Sequence, residues 1–171
     1  RVEDALELQT KQLSTCGELK RATMRELFTH GLKGEAQKET EIGPIPESWG
    51  IARLDSYADV ISTRMTYSEL RKIEDAATDD TMTVLGIKVA DMNTVGNEVV
   101  LNTAQLIRQV DPRIARQRCA PPNTIIFPKR GAAIATNKKR ISATWTAFDP
   151  NVIGVIAKNG LRQSFLFHWF Q

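Results

Sequence analysis

The chain has 171 residues, of which 42% are apolar and 25% charged, and its formal net charge is +3. This composition excludes a disordered or fibrous protein and predicts one ordinary hydrophobic core with an appended element. No stretch reaches the roughly 18 consecutive apolar residues of a membrane span, and no secretory leader is recognisable. We therefore expect a cytoplasmic protein with no membrane partner. Because it starts at Arg1 and stops inside an apolar run, we also expect a fragment of a longer protein.

The first 30 residues predict a long amphipathic helix, because they contain no proline and their apolar residues follow helical spacing. Gly31 and Gly34 are expected to end it. Such a helix has too little apolar surface to be stable alone, so it should pack on another helix, from a missing part of the chain or from a second copy in a homodimer. The residues predicted to form its seam are Val2, Leu6, Leu13, Leu19 and Leu27.

Two closely spaced prolines separate this helix from the rest of the chain. Pro44 and Pro46 are incompatible with a helix, so residues 35–48 are predicted to be an extended linker and residues 49–171 a domain. As part of the fragment hypothesis, this domain is expected to be truncated at its C-terminus. The predicted fold class is α+β, with a long N-terminal amphipathic helix followed by a β-rich domain that has short helices.

Several elements of this domain are predicted from local patterns. Residues 83–92 and 98–101 are predicted to form a hairpin, and residues 103–110 a short helix. Residues 152–156 read as a buried strand, and a helix is predicted to begin near residue 161, with its apolar side at Phe165, Leu166, Trp169 and Phe170. The long polar stretch 62–83, with one helical turn at 68–72, is predicted to be a surface loop of the kind that often binds a partner.

A basic double turn is the most distinctive feature of the sequence. Residues 124–127 predict a strand that turns at Pro128, and this turn carries Lys129 and Arg130 outward. Residues 131–136 are predicted to be a buried strand or a tight backbone approach, which could pair with the first strand as a hairpin. A second cationic turn follows with Lys138, Lys139 and Arg140. Whether the two clusters share one rim depends on the strand register, which the sequence leaves open.

Charge is distributed unevenly along the chain. Residues 108–140 hold nine Lys/Arg against Asp111 alone, whereas residues 1–50 hold seven Lys/Arg against nine Asp/Glu. A basic face on a nearly neutral protein indicates a polyanion bound at one place. The alternative is a solvated face whose charges are balanced in space by Asp75, Asp79 and Asp80.

Motifs for catalysis and metal binding are missing from the sequence. Residues 131–138 lack the second glycine and the Ser/Thr of a phosphate-binding loop, and there is no dinucleotide, hydrolase or zinc-protease motif. Cys16 and Cys119 lie far apart, so neither a zinc site nor a disulfide is expected. Asp111, Glu98 and Lys129 form only a weak nuclease-like set. We expect no catalytic residue and no metal site.

Three stretches resemble the specificity subunit of type I restriction-modification systems. They are Ile-Gly-Pro-Ile-Pro-Glu-Ser-Trp at 42–49, Lys-Val-Ala-Asp-Met at 88–92, and Phe-Pro-Lys-Arg-Gly-Ala-Ala-Ile-Ala-Thr-Asn-Lys-Lys-Arg-Ile at 127–141. The resemblance implies that residues 1–34 are a conserved spacer helix and residues 49–171 one target recognition domain, which binds one half of a bipartite site in double-stranded DNA. It also implies partner methylation and restriction subunits, in which S-adenosylmethionine, ATP and Mg are used; this chain itself is expected to hold no cofactor.

Within this interpretation, two regions are candidates for contact with DNA. Phosphate contacts are predicted for Lys129, Arg130, Lys138, Lys139 and Arg140, with Thr136 and Asn137 as donors to bases or backbone. The loop 63–80 is an equal candidate for base readout, through Arg64, Thr66, Tyr67, Arg71 and Lys72.

Two other functions stay open from the sequence. The chain could be a helix-mediated interaction module, or a remnant half-subunit that docks a methylation subunit or a second copy without reading DNA. RNA binding is a weaker alternative, because few paired aromatic residues lie near the basic cluster.

Overall fold

The computed structural model describes residues 1–77 and 80–171, which form two compact units, Arg1–Ala52 and Arg53–Gln171. The sequence had suggested a division between residues 48 and 49. The predicted α+β class is confirmed, since a long N-terminal helix precedes a β-rich region with short helices.

The first unit consists of one long helix and a small hairpin. Helix α1 (Val2–His30) ends at the predicted place, where the Gly31 N–H donates to the Leu27 carbonyl at 3.0 Å. Strands β1 (Gln37–Lys38) and β2 (Ile45–Pro46) pair antiparallel within the segment predicted as an extended linker. The ring of Trp49 packs edge to face on Phe28 of α1, with 6.0 Å between centroids. These contacts hold the C-terminal end of α1, whereas its N-terminal part is exposed.

The second unit contains two sheets and four short helices in its described residues. A five-stranded sheet has the order β3-β10-β7-β8-β5, and a three-stranded sheet the order β6-β4-β9. The elements are α2 (Leu54–Tyr57), β3 (Ala58–Ile61), α3 (Tyr67–Lys72), β4 (Met82–Ile87), a first 3₁₀ helix (Val89–Asn93), β5 (Val100–Leu101), β6 (Leu106–Val110), α4 (Pro112–Arg118), β7 (Ile125–Pro128), a second 3₁₀ helix (Ala132–Thr136), β8 (Arg140–Ser142), β9 (Trp145–Phe148), β10 (Val152–Ala157) and α5 (Gln163–Trp169).

The predicted hairpin of residues 83–92 with 98–101 is wrong. Strand β4 ends at Ile87 and pairs antiparallel with β6 and parallel with β9, while β5 belongs to the other sheet beside β8. The helix predicted at 103–110 is also wrong, because this segment contains β6. Pairing with β4 and burial of Leu106 and Val110 outweigh the local helix signal.

Residues 131–136 do not form the buried strand that could have paired with residues 124–127 as a hairpin. Gly131, at a φ of 74°, turns the chain into the second 3₁₀ helix, all of whose residues are described and none of which is buried. Strand β7 pairs instead with β8 and β10, which both come later in the chain. Small residues at 131–136 therefore form a surface turn between the two paired strands.

Buried side chains lie on both sheets. Helices α3 and α4 cover the three-stranded sheet through Leu70 and Ala115, which pack with Val84 and Ala147. Helix α5 covers the five-stranded sheet near Ile125. The predicted apolar side of α5 needs correction: Leu166 is buried, but the second buried residue is Phe167, while Phe165 and Trp169 are 40% and 52% exposed.

A buried polar network fixes the loop between β4 and β6. The carboxylate of Asp91, 2% exposed, accepts from the N–H groups of Lys88 (2.8 Å) and Gln105 (2.9 Å). The fully buried Asn97 amide donates to the carbonyls of Asp91 (2.9 Å) and Thr103 (2.8 Å). Its Oδ1 accepts from the N–H of Asn102 at 3.0 Å. Two short side chains thus satisfy backbone groups at both ends of this loop.

Replacing Asn97 by alanine should destabilise the protein by about 2–3 kcal/mol, because several buried backbone groups lose their partner together. The matched control is Asn102→Ala, whose exposed amide makes only long bonds of 3.4 and 3.3 Å. Urea denaturation followed by circular dichroism measures both. Equal losses in the two variants would contradict the role given to the Asn97 network.

Gly154 of β10 marks a close approach. A Cβ there would lie 2.7 Å from Thr124 Cγ2 and 2.9 Å from Phe148 Cε2. Gly154→Ala should therefore cost about 1–3 kcal/mol by overpacking. Gly50→Ala is the control, since nothing lies within 4 Å of its Cβ position. Thermal melts of both variants test this, and an unchanged melting temperature for Gly154→Ala would refute it.

Candidate nucleic-acid interface

The two basic clusters emerge at the same end of the five-stranded sheet. In the β7–β8 ladder, Ile125 pairs with Ile141 and Ile126 with Arg140, so the residues after β7 lie beside those before β8. Lys129 and Arg130 are exposed there, and the Lys129 N–H donates to the Asn151 carbonyl at 2.8 Å. The register that the sequence left open thus puts both clusters on one rim.

A pocket of about 310 Å³ lies between the two clusters. Phe127, Pro128 and Ile134 supply apolar walls, and Lys129, Lys138 and Lys139 supply ammonium groups, with Asn137 beside them. The structure therefore brings three of the five predicted phosphate-contacting cations around one depression. We call Lys129, Arg130, Lys138 and Lys139 the basic rim.

Arg140 differs from the other four cations because its guanidinium is used internally. Nη2 donates to the Met92 carbonyl at 3.0 Å and Nη1 to the Lys139 carbonyl at 2.9 Å. Burial lowers its pKa, and the nearby Glu98 carboxylate acts in the opposite direction. An arginine remains charged under these conditions. Arg140 thus ties β8 to the first 3₁₀ helix and has few donors left for a phosphate.

Thr136 and Asn137 also have partners within the chain. The Thr136 hydroxyl donates to the Ala133 carbonyl at 2.6 Å, and Asn137 Nδ2 donates to the Gln171 carbonyl at 3.2 Å. Asn137 has a φ of 49°, and its Oδ1 accepts from Lys139 Nζ. Both side chains close the turn before β8, and their role as donors to DNA stays a prediction.

The five residues predicted for base readout separate into two groups. Thr66 forms a capping box at the start of α3, where its Oγ1 accepts from the Glu69 N–H at 3.2 Å, and Tyr67 lies under Lys88 Nζ at 4.1 Å from its ring centroid. Those two side chains stabilise α3. Arg64, Arg71 and Lys72 are exposed. The predicted helical turn at 68–72 is present as part of α3.

Acidic residues near α3 are engaged in internal bonds. Hydrogen bonds from Thr66 and then the Arg118 guanidinium lower the pKa of Glu69, which pairs with Arg118 Nη2 at 3.0 Å. Asp75 Oδ1 accepts from the Gln109 N–H at 2.7 Å, at the edge of β6. Of the three acids considered as counter-charges, Asp79 lies outside the described residues.

Helix α4 was not among the elements predicted from the sequence, where its arginines counted only toward the basic charge of residues 108–140. It carries Arg113 and Arg116 on its exposed side, next to α3. The signal was present in Asp111-Pro112, because an Asp that caps and a Pro at the first helical position begin many helices. Asp111 Oδ1 accepts from the Arg113 N–H at 2.7 Å.

Neither cysteine is placed for metal chemistry. Cys16 is exposed, while burial raises the pKa of Cys119 to about 11. Across 1–77 and 80–171, no cluster of His, Cys, Asp and Glu side chains could hold a metal ion. Within those same ranges, no helix has the length and apolar character needed to cross a membrane.

Comparisons with known proteins identify the fold. No family model matches the sequence, and no curated protein is similar to it. The HsdS subunit from Thermoanaerobacter tengcongensis matches with a TM-score of 0.50 and 13% identity, over 96% of this chain and 38% of that chain. A structure from work on complex assembly and conformational transition of the type I R-M system matches with a TM-score of 0.52 and 13% identity, over 99% and 39%.

The chain therefore spans well under half the length of these solved structures. At this identity the likeness concerns the fold. The resemblance inferred from three sequence stretches is confirmed at that level: this chain has the fold of a part of the HsdS specificity subunit of type I restriction-modification systems.

Proposed function

We propose that this chain is a non-catalytic, sequence-specific DNA-binding subunit that directs methylation and cleavage by a type I system to one half of a bipartite site. The observation that carries the proposal is the basic rim, in which four cations from two separate turns meet at one end of a sheet. The fold shared with HsdS subunits supports it. The chemistry would belong to methylation and restriction subunits that use S-adenosylmethionine, ATP and Mg.

In this proposal the chain has three working parts. Residues 1–34 are the spacer helix, residues 35–48 the linker and residues 49–171 the target recognition domain. The basic rim neutralises phosphates and holds the duplex, because such contacts release counterions but carry little sequence information. Arg64, Arg71 and Lys72 offer further exposed donors on α3 and the preceding loop.

Binding to a 30-base-pair duplex should weaken steeply with salt. Four phosphate contacts from the basic rim predict that log K falls with log salt at a slope of about −3.6. Replacing Lys129 and Arg130 by alanine removes two contacts and should reduce the slope by about 1.8. Fluorescence anisotropy titrations between low and moderate salt measure both values.

The matched control for this prediction is Arg162→Ala. Arg162 is an exposed cation beyond the opposite end of β10, because Val152 pairs with Pro128 next to the basic rim, whereas Ala157 pairs with Ala58. Its removal should leave the slope unchanged. A wild-type slope near zero would refute DNA binding, and an equal effect of Arg162→Ala would refute the localisation to the basic rim.

A second candidate function is association with another protein through α1. All residues of this helix are described, and none of them is buried. Val2, Leu6 and Leu13 are exposed by 58–75%. At 3.6 residues per turn, these three and Leu27 lie within about 60° of arc, with Leu19 further round. A stripe of this kind is typical of a helix that packs on a partner helix. We therefore propose association through α1, with another subunit or with a second copy, and this association could be the chain's whole function.

If α1 mediates self-association, Leu6→Gln with Leu13→Gln should shift the chain to monomer, because the apolar contact is lost. The matched control is Glu7→Gln with Lys11→Gln on the polar side of the same helix, which leaves the net charge unchanged. Sedimentation equilibrium measures the mass of each. A homodimer that persists in the Leu6/Leu13 variant would contradict self-association through the apolar stripe of α1. If that variant is monomeric and still binds DNA, DNA recognition does not depend on association.

A further inference from the structure

A rigidly held, exposed tip lies beside the basic rim, where Lys138 Nζ donates to Asn93 Oδ1. Residues 93–96 begin at the last residue of the first 3₁₀ helix and lead toward β5, with the Asn97 N–H donating to the Thr94 carbonyl at 3.0 Å. All four tip residues are exposed, and the Val95 side chain is 90% exposed. We call this segment the 93–96 tip.

The base of the tip is among the most tightly bonded parts of the loop. Asp91 and Asn97, both buried, stand on either side of it and together bond to backbone groups of Lys88, Thr103 and Gln105. Buried, satisfied polar groups hold a loop in one conformation. The exposed apolar side chain of Val95 is thus presented on a support that loses little conformational freedom on binding.

Cations lie at both ends of the first 3₁₀ helix, and the tip lies at the C-terminal one of these ends. At the C-terminal end, Lys138 Nζ of the basic rim donates to Asn93 Oδ1. At the N-terminal end, Lys88 Nζ lies over the Tyr67 ring of α3, whose exposed face carries Arg71 and Lys72.

The acidic residue nearest the tip has internal partners. Glu98 Oε1 accepts from the Gly96 N–H at 3.1 Å, and this bond, with the charge of Arg140 as a smaller contribution, lowers the pKa of Glu98. Its charge is partly offset by Arg140. The tip therefore projects beside a basic surface that a phosphate backbone can approach.

We propose that the 93–96 tip enters the major groove and determines part of the target sequence, with Val95 against a thymine methyl and the Thr94 hydroxyl at a base edge. Apolar contact with the thymine methyl and hydroxyl contact with base edges are both modes of direct readout. The inference rests on the proposed DNA-binding function and assigns it specificity-determining residues outside the loop 63–80.

The first experiment selects bound duplexes from a pool with a randomised centre, using the full chain. Wild type should recover a motif, and Val95→Ala and Thr94→Ala should each relax it at one or two positions, with about tenfold lower discrimination. Val60→Ala is the matched control, because Val60 is an exposed valine (65%) on the edge strand β3. It should recover the wild-type motif.

The second experiment replaces each thymine of the recovered motif by deoxyuridine, which removes only the methyl group. Wild type should bind about fourfold more weakly at the contacted position, and Val95→Ala should be insensitive there while keeping the wild-type salt slope. A motif recovered unchanged by both tip variants, or no position at which Val95→Ala loses methyl sensitivity, overturns this inference alone. A wild-type pool without any motif overturns the proposed function as well.

Discussion

The position of β7 between β10 and β8 is the constraint on which the candidate interface depends. Ile126 pairs with Gly154 on one side and with Arg140 on the other, so the chain leaves and re-enters the sheet at the same end. Pro128 ends the strand, and the turn after it carries Lys129 outward. Gly154 has no Cβ and so leaves room for Thr124 and Phe148 beside β7. The pairing of β7 with β10 and β8 thus contributes to the core and also fixes the position of the basic rim.

Features encoded by neighbouring residues were predictable from the sequence. Helix α1 and its end at Gly31, the turn of α3 and the strand β10 all follow local periodicity or turn chemistry. The pairing of β4 with β6 and of β5 with β8 was not predictable in this way, since it joins segments from distant or interleaved parts of the chain. The strand considered for residues 131–136 is absent for the same reason. Their small apolar side chains fit a strand, but β8 already occupies the edge of β7.

The sequence predicted which charged residues the candidate site contains, but it did not predict how they are arranged in space. The sequence places nine cations in 108–140, but the structure places four of them in the basic rim, three on α4, Arg108 on β6 and Arg140 on β8. It also assigns Arg140 and Arg118 to internal bonds, which no spacing in the sequence reveals. The direction of a side chain depends on tertiary contacts. A count of cations along the sequence therefore overestimates the number that can bind a phosphate.

Holding DNA and reading its sequence place different demands on side chains. Lysines of the basic rim can act on flexible stems, because attraction to a phosphate tolerates variation in geometry. Readout of a base edge requires a side chain held to within a fraction of an ångström, and the buried Asp91 and Asn97 supply that support to the 93–96 tip. Arg64 in the loop before α3 and Arg71 and Lys72 at the end of α3 are exposed, and the buried polar groups Asp91 and Asn97 support none of them. Physical support thus favours the tip over the long polar loop as the element that discriminates between bases.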